Sequence, residues 1–194
     1  MGIAGNSMLA GNLGAVETVV AWMFENSACE GLQERACAAL QKFTTHDIDN
    51  DNEIRARKVG GIGAVSGSGV ARALHKDSGK VPHPACAALR KLTGGNAEGA
   101  SWAGNVGAIE ALVVVMHQHL GSTGVQEQAC AALYNLVIGN VRNRTLARNA
   151  GIKAPAEAAL KTHLGNVVVV VKARDLLKQI NARTFSFQGH PIST

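Results

Sequence analysis

Histidine and cysteine are the residues of this 194-residue chain whose types and spacing come nearest to chemistry. His117 and His119 form a close pair, but helical residues two apart point to different faces and chelate poorly. No third ligand is in view, so no metal site is expected. His119 and His163 lie 44 residues apart, at corresponding helix ends, where histidine offsets the helix dipole. The four cysteines are Cys29, Cys37, Cys86 and Cys130, with no Cys-x-x-Cys pair among them. Gly60-Gly61-Ile62-Gly63 lacks the lysine and the preceding strand of a phosphate loop. Gly67-Ser68-Gly69 is too short for a nucleophile elbow and reads as lying inside a helix. No pair of carboxylates recurs in an apolar setting. No catalytic constellation and no cofactor site emerge, so an enzyme is not expected.

The cysteines instead mark a repeat. Ala-Cys-Ala-Ala-Leu occurs at Ala36–Leu40, Ala85–Leu89 and Ala129–Leu133, with starts 49 and 44 residues apart. A second signal runs with it. Gly11-Asn12-Leu13-Gly14-Ala15-Val16 is echoed at Gly60–Val65, at Gly104–Ile109 and weakly at Ala150–Ala154. An eroded fourth tag falls at Ala173. Identity at such a period is the signature of a solenoid. Apolar residues after each tag recur at i, i+4 and i+7: Ala36, Leu40, Phe43; Ala85, Leu89, Leu92; Ala129, Leu133, Leu136; Ala173, Leu177, Ile180. That is the buried stripe of an amphipathic helix. Runs such as Ala15–Phe24 and Ala108–His117 give a second helix. Asn52–Val59 and Arg142–Asn149 fit a shorter one that crosses between units. Val167–Val171 is β-prone in isolation, yet its place in the repeat predicts helix.

A short helix, a glycine break, a second helix and a third carrying Gln126-Glu127-x-Ala129-x-x-Ala132-Leu133-x-Asn135-Leu136 resembles the armadillo repeat. The resemblance covers roughly residues 3–182. It implies an all-α, right-handed α-solenoid of about four armadillo-like repeats. The units fall at about 1–46, 47–95, 96–139 and 140–183, followed by a tail at 184–194. It also implies that the third helices line a concave surface. There the family's ligand-holding Asn maps onto Asn135, with Lys42, Lys91 and Gln179 at the equivalent positions. The family's groove Trp maps onto Ala38, Ala87, Ala131 and Asp175, so capture of a nuclear localisation signal is not expected. The neighbouring row is Gln41, Arg90, Tyr134 and Lys178. Lys42, Arg90, Lys91, Tyr134, Asn135, Lys178 and Gln179 are therefore the expected partner-binding residues, and their charge suits an acidic or extended peptide.

Charge is uneven along the chain. Residues 1–54 carry 2 basic and 8 acidic side chains, net −6, while residues 141–194 carry 9 and 2, net +7. Neither end of the array shows a polar cap in sequence, and terminal repeats normally carry one. An alternative role follows: an accessory subunit docked in a larger assembly through its ends and its Phe185-Ser186-Phe187 tail, or stacked head to tail. Nucleic-acid binding through Arg142, Arg144, Arg148 and Lys153 is the weaker reading, since no stacking aromatics interleave them. Equivalent cysteines in stacked repeats lie about one helix spacing apart, 8–10 Å, too far for a disulfide. They read as small buried apolar residues. This fits a reducing intracellular compartment, cytoplasmic first, with an organelle open if a transit peptide has been removed. No signal peptide or membrane span is evident, and Met1-Gly2 lacks the serine or threonine at position 6 that myristoylation prefers. Asn143-Arg144-Thr145 is a formal glycosylation sequon without a secretory context.

Overall fold

A computed structural model describes residues 3–45, 51–67 and 82–182. All the regular structure among them is helical, and it falls into four triplets. The first unit holds α1 (Ile3–Asn12), α2 (Ala15–Glu25) and α3 (Glu30–Thr45). The second holds α4 (Asp51–Lys58), α5 (Gly61–Ser66) and α6 (Pro82–Thr93). The third holds α7 (Ala97–Asn105), α8 (Ala108–Gln118) and α9 (Thr123–Val137). The fourth holds α10 (Val141–Asn149), α11 (Lys153–Thr162) and α12 (Val167–Asn181). The third helices pack in series, α3 on α6, α6 on α9 and α9 on α12. The valine run is the first turn of α12, where the Asn166 side chain accepts the Val169 N–H at 3.0 Å. Val169 and Ala173 are fully buried there, so packing overrides the local strand preference.

The turn between first and second helices fixes the register. Gly14, Gly60, Gly107 and Gly151 stand at φ between 77° and 85°, a region that favours glycine. This corrects the alignment read from the glycine echo. Gly60 corresponds to Gly14 and Gly107, not to Gly11 and Gly104. From that glycine to the tag cysteine the first and third units run 23 residues, and the second runs 26. Gly67 is a second correction. Its backbone is extended, ψ 173°, and α5 ends at Ser66 rather than running through the glycines. Ser68 and Gly69 lie outside the described residues, as does the whole tail from 184.

Two polar devices recur in the packed interior. Gln33 donates from Nε2 to the carbonyls of Met23 (2.9 Å) and Asn26 (3.1 Å). Gln126 repeats this on Met116 (2.8 Å) and His119 (3.0 Å). Each ties the start of a third helix to the carbonyls that end the second, which lack intrahelical partners. Pro82 and Val170 occupy this place in the other two units. Gln126 is fully buried. Gln126→Leu is therefore expected to lower stability by about 2 kcal/mol, the cost of stranding the Met116 carbonyl, since His119 O keeps the Ser122 N–H at 3.0 Å. Urea denaturation reads the effect, and an unchanged midpoint would refute this role.

The second device serves the carbonyl near the end of each third helix. Asn52 Nδ2 reaches Phe43 O at 3.3 Å, and Asn143 Nδ2 reaches Leu136 O at 2.8 Å. In both cases the donor comes from the following unit. Arg57 Nη1 reaches Leu92 O at 3.4 Å, and Arg148 Nε reaches Ile180 O at 2.8 Å. There the donor comes from the first helix of the same unit. The small residue opposite alternates with the large one. Gly11 faces Asn52, Gly99 faces Arg57 and Gly104 faces Asn143. The junctions are complementary in size, by two different solutions.

Candidate functional site

The residues expected to bind a partner lie on the third helices, toward their C-terminal ends. Lys42 and Lys178 are exposed, while Arg90, Lys91, Tyr134, Asn135 and Gln179 are partly buried. The structure joins the middle of this row into one patch. Asn135 Nδ2 donates to Arg90 O at 3.0 Å, bridging α9 to α6. Arg90 Nε donates to Gln128 Oε1 at 2.7 Å. Lys178 pairs with Asp175 at 3.6 Å, one turn earlier on α12. Among the described residues, Lys42 and Lys91 make no ion pair. With Arg90, whose partner is the neutral amide of Gln128, they are the cations of this row whose charge is not offset by a carboxylate.

Asn135 also lines a groove of about 390 Å³ with Thr93, Asn96, Ser101 and Asn140. The last three were missed in the sequence because they belong to the interunit loops and first helices, outside the third-helix rows. The signal for the two asparagines was an asparagine before the first helix of the second, third and fourth units. Asn96 and Asn140 accept backbone N–H groups from Gly99 and Asn143 as helix caps, a standard role for asparagine. Asn140 then donates to Ser101 Oγ at 3.1 Å. The groove thus presents amide and hydroxyl groups, the functions that hold a peptide backbone.

His163 and the three tag cysteines are structural. His163 ends α11 and is buried, with Nε2 2.7 Å from Leu120 O and Nδ1 3.2 Å from Thr123 Oγ1. Both ring nitrogens are engaged across the third and fourth units. Cys37, Cys86 and Cys130 are free, buried thiols, whereas Cys29 is exposed. Burial pushes the Cys37 and Cys130 thiols up to about 12. Cys86 is pushed higher still, by burial first and then by the neighbouring thiols Cys37 and Cys130. A thiol held protonated is a poor nucleophile and a poor metal ligand. The sequon is likewise closed. Asn143 is buried and spends its amide on Ala100 O and Leu136 O.

The basic stretch of the fourth unit is partly consumed. Arg148 Nη2 adds a bond to Ala182 O at 2.8 Å, and Lys153 lies 3.9 Å from Glu157. In the fourth unit the position of Cys37, Cys86 and Cys130 is taken by Arg174, which is exposed. Val113 and Val137 of the third unit become Glu157 and Asn181, while Met116 and Leu133 become Leu160 and Leu177, both partly buried. Among the described residues this face is mixed, polar and apolar side chains standing together.

Serial third helices, left-handed glycine turns and a shared core define an armadillo-like repeat array, an all-α solenoid whose fold is a common protein-binding scaffold. The chain is similar to the crystal structure of an engineered protein, with TM-score 0.73 and 22% identity, over 90% of this chain and 67% of the other. It is also similar to a designed armadillo repeat protein, with TM-score 0.65 and 19% identity, over 90% of this chain and 86% of that one. No family model and no curated protein matches the sequence. No single helix among the described residues is long and apolar enough to cross a membrane.

Proposed function

We propose that the protein is a non-catalytic interaction scaffold that binds an extended, acidic segment of a protein partner along its third helices. The observation that carries this reading is the Arg90–Asn135–Gln128 patch beside Lys91, set over an amide-lined groove at the junction of two units. An extended peptide exposes a backbone donor and acceptor at every residue. Asn96, Asn140 and Ser101 match them, Tyr134 offers a flat contact surface, and Lys42, Lys91 and Lys178 meet carboxylates. Gln179 extends the same edge into the fourth unit. Among the described residues, Cys37, Cys86, Cys130 and His163 are committed to packing and to backbone contacts.

The test is fluorescence anisotropy with a labelled peptide of alternating Glu and Ser, at low and at physiological salt. Lys42→Glu/Lys91→Glu is expected to weaken binding about tenfold at low salt, with a smaller effect when salt screens the charges. Equal affinity of variant and native chain would overturn the assignment. Both substitutions sit at exposed or half-exposed helix positions, so the circular dichroism spectrum should not change.

A further inference from the structure

The groove beside Asn135 carries no charged side chain in its lining. Asn96, Asn135 and Asn140 supply a polar wall, and Ala97, Ala100 and Ile138 an apolar one. Its floor is bare backbone at Gly95 and Gly139, with φ of 63° and 66°. A Cβ at either glycine would meet nothing within 4 Å, so the space above them is open. Ile138 is 47% exposed at the groove. Thr45, Gly94 and Ala182 hold its place in the other units, so only the third unit puts a large apolar side chain there. Two amide atoms also remain unspent. Asn96 Oδ1 caps α7 through the Gly99 N–H, and Asn135 Nδ2 donates to Arg90 O. Asn96 Nδ2 and Asn135 Oδ1 take no partner among the described residues.

We propose that this groove is a specificity pocket for one large aliphatic side chain of the partner segment, adjacent to the acidic residues that meet Lys91 and Arg90. The proposal rests on the third-helix reading of partner binding and adds the residue that sets its register. A charged side chain entering the pocket would lose water and gain no counter-charge, which is costly. The carboxylates of the segment therefore stay outside, over the cations. An aliphatic side chain gains by covering Ile138, Ala97 and Ala100. The free donor of Asn96 and the free acceptor of Asn135 match the C=O and N–H that its backbone brings along. The pocket is internal to the array, at the loops that join the second unit to the third and the third to the fourth. Its shape is set by neighbours on both sides.

The test is a leucine scan by fluorescence anisotropy. The labelled Glu/Ser peptide is compared with a set in which each serine in turn is leucine. A gain of about tenfold is expected at one position, with little change elsewhere. Ile138→Ser should remove the gain, read as the ratio of leucine peptide to Glu/Ser peptide on the same variant. Ala97→Gln, at an exposed helix position, should do so by filling the pocket. No gain at any position, an equal gain at all of them, or a gain that survives Ile138→Ser overturns the pocket and leaves the charged patch untouched. A register-specific gain that is indifferent to Lys42→Glu/Lys91→Glu supports the pocket and overturns the patch instead. A gain that appears only in a Phe185→Ser/Phe187→Ser chain names the protein's own tail as the occupant and overturns the assignment to a partner.

Discussion

Gly104→Ala is expected to destabilise the native chain by about 3 kcal/mol and to be neutral or stabilising once Asn143 is alanine. A Cβ at Gly104 would overlap Asn143 Oδ1 and approach its Cγ to 2.9 Å. Asn143 cannot yield cheaply. Its amide is fixed by Ala100 O at 2.7 Å and Leu136 O at 2.8 Å, in a fully packed junction. Either the buried bonds break, at about 1–3 kcal/mol, or α7 and α10 separate, at an overpacking cost of about the same size. Gly104 itself is helical, where alanine is preferred by about 1 kcal/mol. In the Asn143→Ala background only that preference remains, so the sign of the Gly104→Ala effect reverses. A double-mutant cycle in urea measures the coupling; additive effects would refute the steric account. Gly99→Ala is the internal control. Its nearest neighbours are Leu92 O at 3.1 Å and Arg57 Cδ and Asn96 Oδ1 at 3.2 Å, tight contacts but none an overlap, so the loss should be smaller.

The second large effect is alkaline. A thiol whose folded pKa is raised keeps its proton in the native state while the unfolded chain ionises. Its contribution is complete below the unfolded value of 9.0 and is lost as pH rises from there toward about 12. Each such thiol weakens the fold by about 1.4 kcal/mol per pH unit across that window. Cys37, Cys86 and Cys130 act in the same direction, giving about 4 kcal/mol per unit together. Against a typical domain stability of about 5–15 kcal/mol, that is enough to unfold the array within two or three units. Urea midpoints of the native chain should change little from pH 8 to 9 and fall steeply from pH 9 to 11. They should fall much less for a Cys37→Ala/Cys86→Ala/Cys130→Ala variant, whose starting stability is lower. Parallel slopes would show that the thiols are not what titrates.

These two predictions rest on features of different legibility. The thiol column was readable from three copies of Ala-Cys-Ala-Ala-Leu, because an apolar tag at constant spacing declares a buried position. The Gly–Asn junctions were not. Gly11, Arg57, Gly104 and Arg148 occupy one structural position, but the sequence echo pairs Gly11 with Gly60. Only the left-handed turn glycines reveal the three-residue slip in the second unit.

The partner-binding row divides in the same way. Its helix face followed from the family pattern at Asn135 and from helical periodicity. Which cation of the row is offset did not, since Lys178 meets Asp175 along the helix, whereas Arg90 is held across space by the neutral amide of Gln128. The groove residues Asn96, Ser101 and Asn140 were hidden for the same reason. They approach Asn135 only when the third unit folds and the fourth packs on it.

By itself the sequence determined the all-α repeat architecture, the third-helix stripe and the burial of the cysteines. Periodicity and identity at constant spacing are properties of the chain read in order. The tertiary structure alone decided how one unit meets the next. It set which carbonyl takes its donor from its own unit or its neighbour, and which cation of the third-helix row meets a carboxylate. Those are relations between surfaces, and the size of a side chain acquires its meaning only from what stands opposite it.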